Sequence, residues 1–196
     1  MPTDLAALIG SRICHDLISP IGAIGNGGEL LSLSDNNNSA EISLISESVD
    51  NANARIRFFR IAFGAAGTGQ SIGKNEIRSI LDAMAQGGRF TYDWQIEGDQ
   101  PRPTVRCAFL MLLCLEVALP LGGNIEIELE GETWALNASG RRVKVDEPLW
   151  QSLSKPDDGF AHTAANVQFA LLPDIIAEAG RALRIDLQQD RIVARF

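Results

Sequence analysis

The chain has 196 residues, and 45% of them are hydrophobic, which is enough for one domain or two small ones with a packed core. Its formal net charge of −8 and pI near 4.8 argue against nucleic acid or an anionic membrane as the main partner, because both bind basic surfaces. We therefore expect a protein partner.

The first predicted element is a long helix over residues 4–33. Its apolar side chains recur at steps of three, four or seven residues, which predicts one buried face made of Leu5, Ile9, Ile13, Leu17, Ile21, Ile24 and Leu31. His15 lies two residues from both Ile13 and Leu17, so at about 100° per residue it points away from that face. We expect its imidazole to face solvent.

Small and polar side chains share the helix face of His15. They are Ser11, Ser19, Gly22 and Asn26. Gly22 is one of four glycines within residues 22–28, each of which costs a helix interior about 1 kcal/mol relative to Ala. This low surface predicts a place where the backbone of another protein rests, and we include Arg12 among its partner-binding residues.

The sequence HDLISP at residues 15–20 resembles the phosphoacceptor box of sensor histidine kinases and of phosphorelay histidine phosphotransferases. The resemblance implies that His15 accepts a phosphoryl group. It gives Asp16 a secondary role, either as acceptor of the proton on the far imidazole nitrogen or as a contact for the partner. Adjacent helical residues face each other poorly, so both roles stay open.

A second helix is predicted to begin near Ser39, after a polar tip at residues 34–38 and a capping box formed by Asn38 and Glu41. Its apolar residues alternate in steps of three and four, as in a bundle seam: Ile42, Ile45, Val49, Ala52, Ile56, Phe59 and Phe63. Leu44 and Phe58 add apolar surface beside it. Because a single two-helix hairpin cannot bury all of these apolar side chains, we predict a homodimer whose two hairpins form a four-helix bundle.

Arginines on the second helix are predicted to lie near His15. Because the chain folds back at the tip, Ile56 should lie beside His15 along the helix axis. Arg55, Arg57 and Arg60 would then be near enough to contact an incoming phosphoryl group. An ordinary solvated helix face is the alternative. Arg55 is the partner-binding candidate among them.

The three cysteines, Cys14, Cys107 and Cys114, lie in apolar helical patterns without a CxxC pair. We predict buried thiols in a reducing compartment and no metal site. The N-terminal residues do not resemble a signal peptide, and the longest apolar run, residues 107–119, is shorter than the roughly 20 residues of a membrane span. The prediction is a cytoplasmic protein that does not act at a membrane.

Four glycines within residues 64–73 predict a domain boundary, with a helical hairpin over residues 1–66 and a second domain over residues 74–196. The second domain is predicted to hold helices at 74–86, 104–119 and 164–179, and strands at 89–97, 125–130, 133–137, 141–145, 183–187 and 192–196. This mixture predicts an α+β sandwich with helices on one face of a mixed sheet.

The order of these elements, and the segment CLEVALPLGGNI at residues 114–125, resemble the ATP-binding domain of histidine kinases. Where that family has an asparagine that holds magnesium, this chain has Cys114, and a thiol is a poor ligand for that ion. The adenine-reading Asp-x-Gly-x-Gly turn is matched at best by residues 137–140, which begin with Asn137. In the phosphate-binding turn at residues 159–166, Phe160 and His162 replace glycines. We predict no productive ATP binding and no cofactor, and we expect the role of His162 to be structural or incidental.

A phosphoacceptor hairpin joined to a kinase-like domain without nucleotide motifs resembles the ChpT-type histidine phosphotransferases. The resemblance implies relay of a phosphoryl group from the receiver domain of a hybrid histidine kinase, through the chain's own histidine, to receiver domains of response regulators. It also implies that magnesium comes from the receiver. Two alternatives remain, a non-catalytic dimeric adaptor of two-component signalling and a divergent active sensor histidine kinase.

Overall fold

The computed structural model describes residues 4–33, 39–65, 67, 69–155 and 159–196, so the predicted tip and its cap at Asn38 lie outside the described residues. The helices are α1 Leu5–Leu33, α2 Ser39–Ala62, α3 Lys74–Ala85, α4 Arg102–Ala118, α5 Glu147–Gln151 and α6 Val167–Glu178, with a 3-10 turn at Ala164–Asn166. The strands are β1 Ser71–Ile72, β2 Phe90–Trp94, β3 Gln100–Pro101, β4 Gly123–Glu130, β5 Thr133–Ser139, β6 Arg184–Leu187 and β7 Arg191–Arg195. None of the helices in these ranges is both long and apolar enough to span a membrane.

Helices α1 and α2 pack along each other, and Gly27 of α1 is buried in their contact. A Cβ atom on Gly27 would lie 2.6 Å from Ile45 Cγ1, so this glycine permits the close approach of α2 and is not part of an open surface. Pro20 is also buried, whereas Ile21, which we predicted on the buried face, is 58% exposed. At this point of α1 the buried residue is therefore Pro20, one position before the Ile21 that we predicted to be buried.

Five strands form a mixed sheet in the order β2-β4-β5-β7-β6. Strand β2 runs parallel to β4, with Tyr92 opposite Ile125, and the other neighbouring pairs are antiparallel. Strands β1 and β3 form a separate two-stranded ladder that we did not predict. The predicted α+β class and mixed sheet are confirmed.

The core of the sheet unit is built around α4, whose central residues are almost completely buried. The last turns of α2 belong to the same core, because Phe58 and Phe59 are 0% and 3% exposed and cluster with the buried residues of α3 and α4. Our assignment of Phe58 to the dimer surface was therefore wrong. The predicted seam of α2 therefore has different surroundings along its length, since Ile45 lies against Gly27 of α1 and Phe59 lies in the core of the sheet unit.

Two further predictions were wrong, and one helix was not predicted. Residues 141–145 form no strand, since the Lys144 backbone N–H donates to the Ala118 carbonyl at the end of α4 (2.8 Å). Helix α5 was not predicted, and Asp146 caps it by accepting from the Leu149 backbone N–H at 3.3 Å. Cys14 is exposed, because it lies next to His15 on the outer side of α1, whereas Cys107 and Cys114 are buried as expected.

Candidate functional site

His15 projects from α1 into solvent, with 83% of its side chain exposed. Its Nδ1 atom lies 3.1 Å from Oδ1 of Asp16, whose side chain is only 13% exposed. Although the two residues are neighbours on one helix, their side chains meet at hydrogen-bonding distance. The imidazole edge that carries Nδ1 is thus occupied by a carboxylate, while most of the ring is open to another molecule.

Arg12 lies one turn before Asp16 and holds the other oxygen of that carboxylate. Its Nε donates to Asp16 Oδ2 at 2.9 Å, and its Nη1 donates to the Ala165 carbonyl at 2.7 Å. The Arg12 side chain is 15% exposed. It is therefore directed toward the sheet unit and away from the solvent-exposed surface on which we had predicted it to bind a partner.

The other predicted docking residues of α1 are exposed: Ser11, Ser19, Gly22 and Asn26. A Cβ on Gly22 would meet nothing within 4 Å, so the surface is open there. Ser19 and Arg55 line the same groove of about 230 Å³, which lies between α1 and α2 one turn beyond His15. Arg55 donates through Nε to the Asn51 side chain at 2.9 Å, which orients it along α2.

Arg57 and Arg60 do not join this group. Both approach Glu76 of α3, with nitrogen–oxygen distances of 3.9 Å and 3.8 Å, and Arg57 also reaches Ser79 at 3.5 Å. They face α3, on a different side of α2 from the groove that Arg55 lines. Of the three arginines that we considered, only Arg55 lies in the candidate site.

Sequence reasoning missed a part-buried carboxyl group near Asp16. Glu116 of α4 accepts a hydrogen bond from the Tyr92 hydroxyl at 2.8 Å. Burial raises the pKa of Glu116, and the charges of Arg12 and Arg55 act in the opposite direction. Burial and the neighbouring Glu116 raise the pKa of Tyr92 as well. The available signal was that Glu116 is the one charged residue in the apolar run of residues 107–119.

The positions that we aligned with the nucleotide-binding motifs of histidine kinases are buried or contact other side chains of the sheet unit. Cys114 is completely buried, and burial raises the pKa of its thiol well above the ordinary value. The Asn137 amide donates to Glu128 Oε1 at 2.6 Å. The rings of Phe160 and His162 lie against each other, 5.0 Å apart. Burial lowers the pKa of His162 and so favours its neutral form.

Comparisons with known proteins agree with this architecture. The family model described as "Histidine phosphotransferase C-terminal domain" matches residues 74–191. The chain is 34% identical to the protein phosphotransferase ChpT of Brucella abortus (strain 2308), over 97% of this chain and 93% of the relative. The chain belongs to the ChpT-type histidine phosphotransferases. A solved structure titled "1.7 Angstrom Structure of a Bacterial Phosphotransferase" matches with a TM-score of 0.80 and 32% identity, covering 100% of this chain and 96% of that one.

Membership of the ChpT-type histidine phosphotransferases makes the chain a phosphotransferase of two-component phosphorelay signalling. The family-model match begins at Lys74 and so does not include His15. The role of His15 therefore has to be argued from the geometry of the hairpin.

Proposed function

We propose that this ChpT-type protein relays a phosphoryl group through His15, between the receiver-domain aspartate of a hybrid histidine kinase and those of response regulators. The observation that carries the proposal is the combination of an exposed imidazole with a carboxylate 3.1 Å from its Nδ1 atom. An exposed ring can enter the acidic pocket of a receiver, and a neighbouring acceptor prepares it for attack.

The chemistry follows from this arrangement. Asp16 accepts a hydrogen bond from the Nδ1–H group of His15, so the proton stays on Nδ1 and the lone pair of Nε2 is free to attack the phosphorus of an aspartyl phosphate. A nitrogen–phosphorus bond forms as the oxygen–phosphorus bond breaks, and the receiver aspartate leaves as a carboxylate; the reverse step loads the next receiver. Phosphoryl transfer of this kind depends mainly on in-line positioning and on neutralising charge. The magnesium ion that neutralises charge would come from the receiver.

The groove beside His15 supports receiver docking on this side of the hairpin. Ser19 and Arg55 line it, and the exposed Ser11, Gly22 and Asn26 continue the surface along α1. Arg55 supplies a cation within reach of the acidic rim of a receiver pocket. Because Gly22 carries no side chain, a partner helix or loop can approach α1 closely there.

Independence from ATP is part of the proposal. A neutral, buried thiol at Cys114 offers a magnesium ion no hard oxygen ligand, and Asn137 has its amide bound to Glu128. Phe160 and His162 fill the segment where phosphate would need close backbone approach. These features favour a relay protein over the divergent kinase.

A homodimer is also part of the proposal. Large apolar side chains remain exposed on α1 and α2, away from the groove: Ile18, Ile21, Leu30, Leu33, Ile42, Val49 and Ile56. Large apolar side chains that stay exposed along two packed helices are typical of an interface. The occupant we propose is the same face of a second copy, so that the two hairpins form a four-helix bundle.

The test is transfer from a phosphorylated receiver that carries radiolabelled phosphate. We expect label on the wild type and on His162→Ala, and none on His15→Ala. His162 is the matched control because it is the second histidine of the chain. Equal labelling of His15→Ala would disprove the relay. Labelling of the wild type by ATP alone would instead favour the kinase, and unchanged signalling in cells that carry His15→Ala would favour the adaptor.

A further inference from the structure

One arginine connects the sheet unit to the carboxylate beside His15. Arg12 donates to Asp16 Oδ2 at 2.9 Å and to the Ala165 carbonyl at 2.7 Å, and the second oxygen of Asp16 lies 3.1 Å from His15 Nδ1. The Ala165 carbonyl, Arg12, Asp16 and His15 are thus linked by consecutive hydrogen-bond contacts, from the turn before α6 to the imidazole. The guanidinium and the carboxylate are both mostly buried, at 15% and 13% exposure.

The acceptor at the far end of this chain is fixed. Ala165 belongs to the 3-10 turn, which is closed by a capping box in which the Thr163 backbone N–H donates to Asn166 Oδ1 at 2.7 Å. Gln168, which is fully buried, donates to the Ala165 carbonyl at 3.4 Å and to the Leu113 carbonyl of α4 at 3.3 Å. The turn is therefore anchored to the centre of the core, and it offers Arg12 a rigid partner.

A fixed arginine has a chemical consequence for the histidine. Side chains of adjacent helical residues diverge by about 100°, so Asp16 needs a restraint to keep one oxygen on the His15 ring. Arg12 supplies that restraint, because its Nε donates to the other oxygen of Asp16 at 2.9 Å. We infer that Arg12 is a positioning residue, which holds Asp16 so that the proton stays on His15 Nδ1 and the Nε2 lone pair faces the receiver. This inference rests on the proposed relay function.

The fork geometry of arginine is essential to this role. One guanidinium nitrogen binds the carboxylate while another binds the carbonyl, and the ammonium of a lysine cannot reproduce both contacts in the same plane. The charged groups that face Arg12 from the packed elements are Asp16 on its own helix and Glu116 on α4. Through Arg12, the sheet unit thus influences the orientation of Asp16 and, through it, the tautomer of His15.

The first test reads the imidazole directly. The chain has two histidines, so 15N-histidine labelling gives two ring systems, and His162 serves as an internal reference for the fold. At a pH of about 8.5, where imidazole is neutral, we expect the wild-type His15 in the Nδ1–H form and Arg12→Gln with a mixture of tautomers. An unchanged His15 tautomer in Arg12→Gln, with unchanged His162 signals, would overturn the inference.

The second test measures single-turnover transfer from a saturating phosphorylated receiver. We expect Arg12→Gln to lower the rate about 10- to 100-fold, the range found when a residue that orients a metal-bound histidine is removed. Arg12→Lys should recover only part of the rate. Arg195→Lys is the control for an arginine-to-lysine change, because Arg195 on the remote strand β7 pairs with Glu130 (3.2 Å) in a more exposed position. Full recovery by Arg12→Lys would overturn the two-contact role.

The two tests separate this inference from the proposed function. If His15→Ala accepted label while Arg12→Gln still changed the His15 tautomer, the relay would fall and the positioning of the imidazole would stand. If His15→Ala stayed unlabelled and Arg12→Gln kept the wild-type tautomer and rate, the relay would stand and the positioning role would fall.

Discussion

The rings of Phe58 and Phe109 stack with their centroids 4.5 Å apart and their planes 10° from parallel. This contact joins α2 of the hairpin to α4 at the centre of the sheet unit, and both rings are completely buried. The hairpin of α1 and α2 and the sheet unit thus share one core. A disturbance at this contact should therefore be felt in both units.

Replacing Phe58 by Ala should lower the free energy of unfolding by about 3 to 5 kcal/mol, because it removes a stacked ring from a packed core. Urea unfolding followed by fluorescence measures the change. Leu121→Ala is the control, since Leu121 is 62% exposed and should shift stability by less than about 0.5 kcal/mol. A loss below about 1 kcal/mol for Phe58→Ala would contradict the shared core.

Replacing Val49 by Glu should separate the proposed dimer. Val49 is 38% exposed in the single chain and lies on the apolar face of the hairpin, where a second copy would bury a charge without a partner. Analytical ultracentrifugation of the wild type and the variant measures the change in dissociation constant, which we expect to be at least 10-fold. Leu121→Glu, on the sheet unit, should sediment like the wild type. A dimer that survives Val49→Glu unchanged argues for another interface.

The part-buried Glu116 predicts how stability depends on pH. Because burial raises its pKa in the folded state, the fold favours the protonated carboxyl. The contribution is complete below the ordinary carboxyl pKa of 4.5 and is lost as pH rises through the raised value. Urea unfolding between pH 4 and pH 8 should therefore show the wild type losing stability relative to Glu116→Gln as pH rises.

Tyr92→Phe tests the cause of that dependence. The Tyr92 hydroxyl donates to Glu116 and lowers its pKa, so its removal should increase the total loss of stability over the same pH range. A difference between the wild type and Glu116→Gln that stays constant, or that grows in favour of the wild type as pH rises, would show that Glu116 is stabilised as the carboxylate.

Two glycines of α1 form a matched pair for testing the hairpin contact. A Cβ on Gly28 would meet nothing within 4 Å, so Gly28→Ala should raise stability by about 1 kcal/mol through helix propensity. A Cβ on Gly27 would meet Ile45 Cγ1 at 2.6 Å and force that side chain to move. Thermal unfolding at one protein concentration should rank Gly27→Ala below Gly28→Ala, and the reverse order would refute close packing at Gly27.

Local patterns in the sequence were sufficient to predict the two helices of the hairpin and the exposure of His15. The two-residue offset of His15 from Ile13 and Leu17 depends only on helix geometry, which the structure preserves at that level. Apolar spacing alone does not reveal which partner covers a helix. It therefore could not show that Phe58 packs on α4, or that the outer side of α1 leaves Cys14 exposed.

The contact between Arg12 and Ala165 could not be foreseen, because it joins positions 153 residues apart and uses a backbone carbonyl, which has no sequence signature. Helix α5 was different, since its signal was present. Asp146 precedes Glu147 and Pro148, a capping residue followed by an acid and a proline in the first turn, as is typical of a helix start.

The buried end of α2 also has a consequence for engineering and for evolution. Cutting the chain within the glycine-rich segment at residues 64–73 would seem to free an independent phosphotransfer module. Such a fragment would expose Phe58, Phe59 and Ile61 to water, and the remaining portion would have an open cavity over α4. Domain shuffling at that position should therefore yield aggregation-prone pieces, and a viable graft would need to carry the last turns of α2 with the sheet unit.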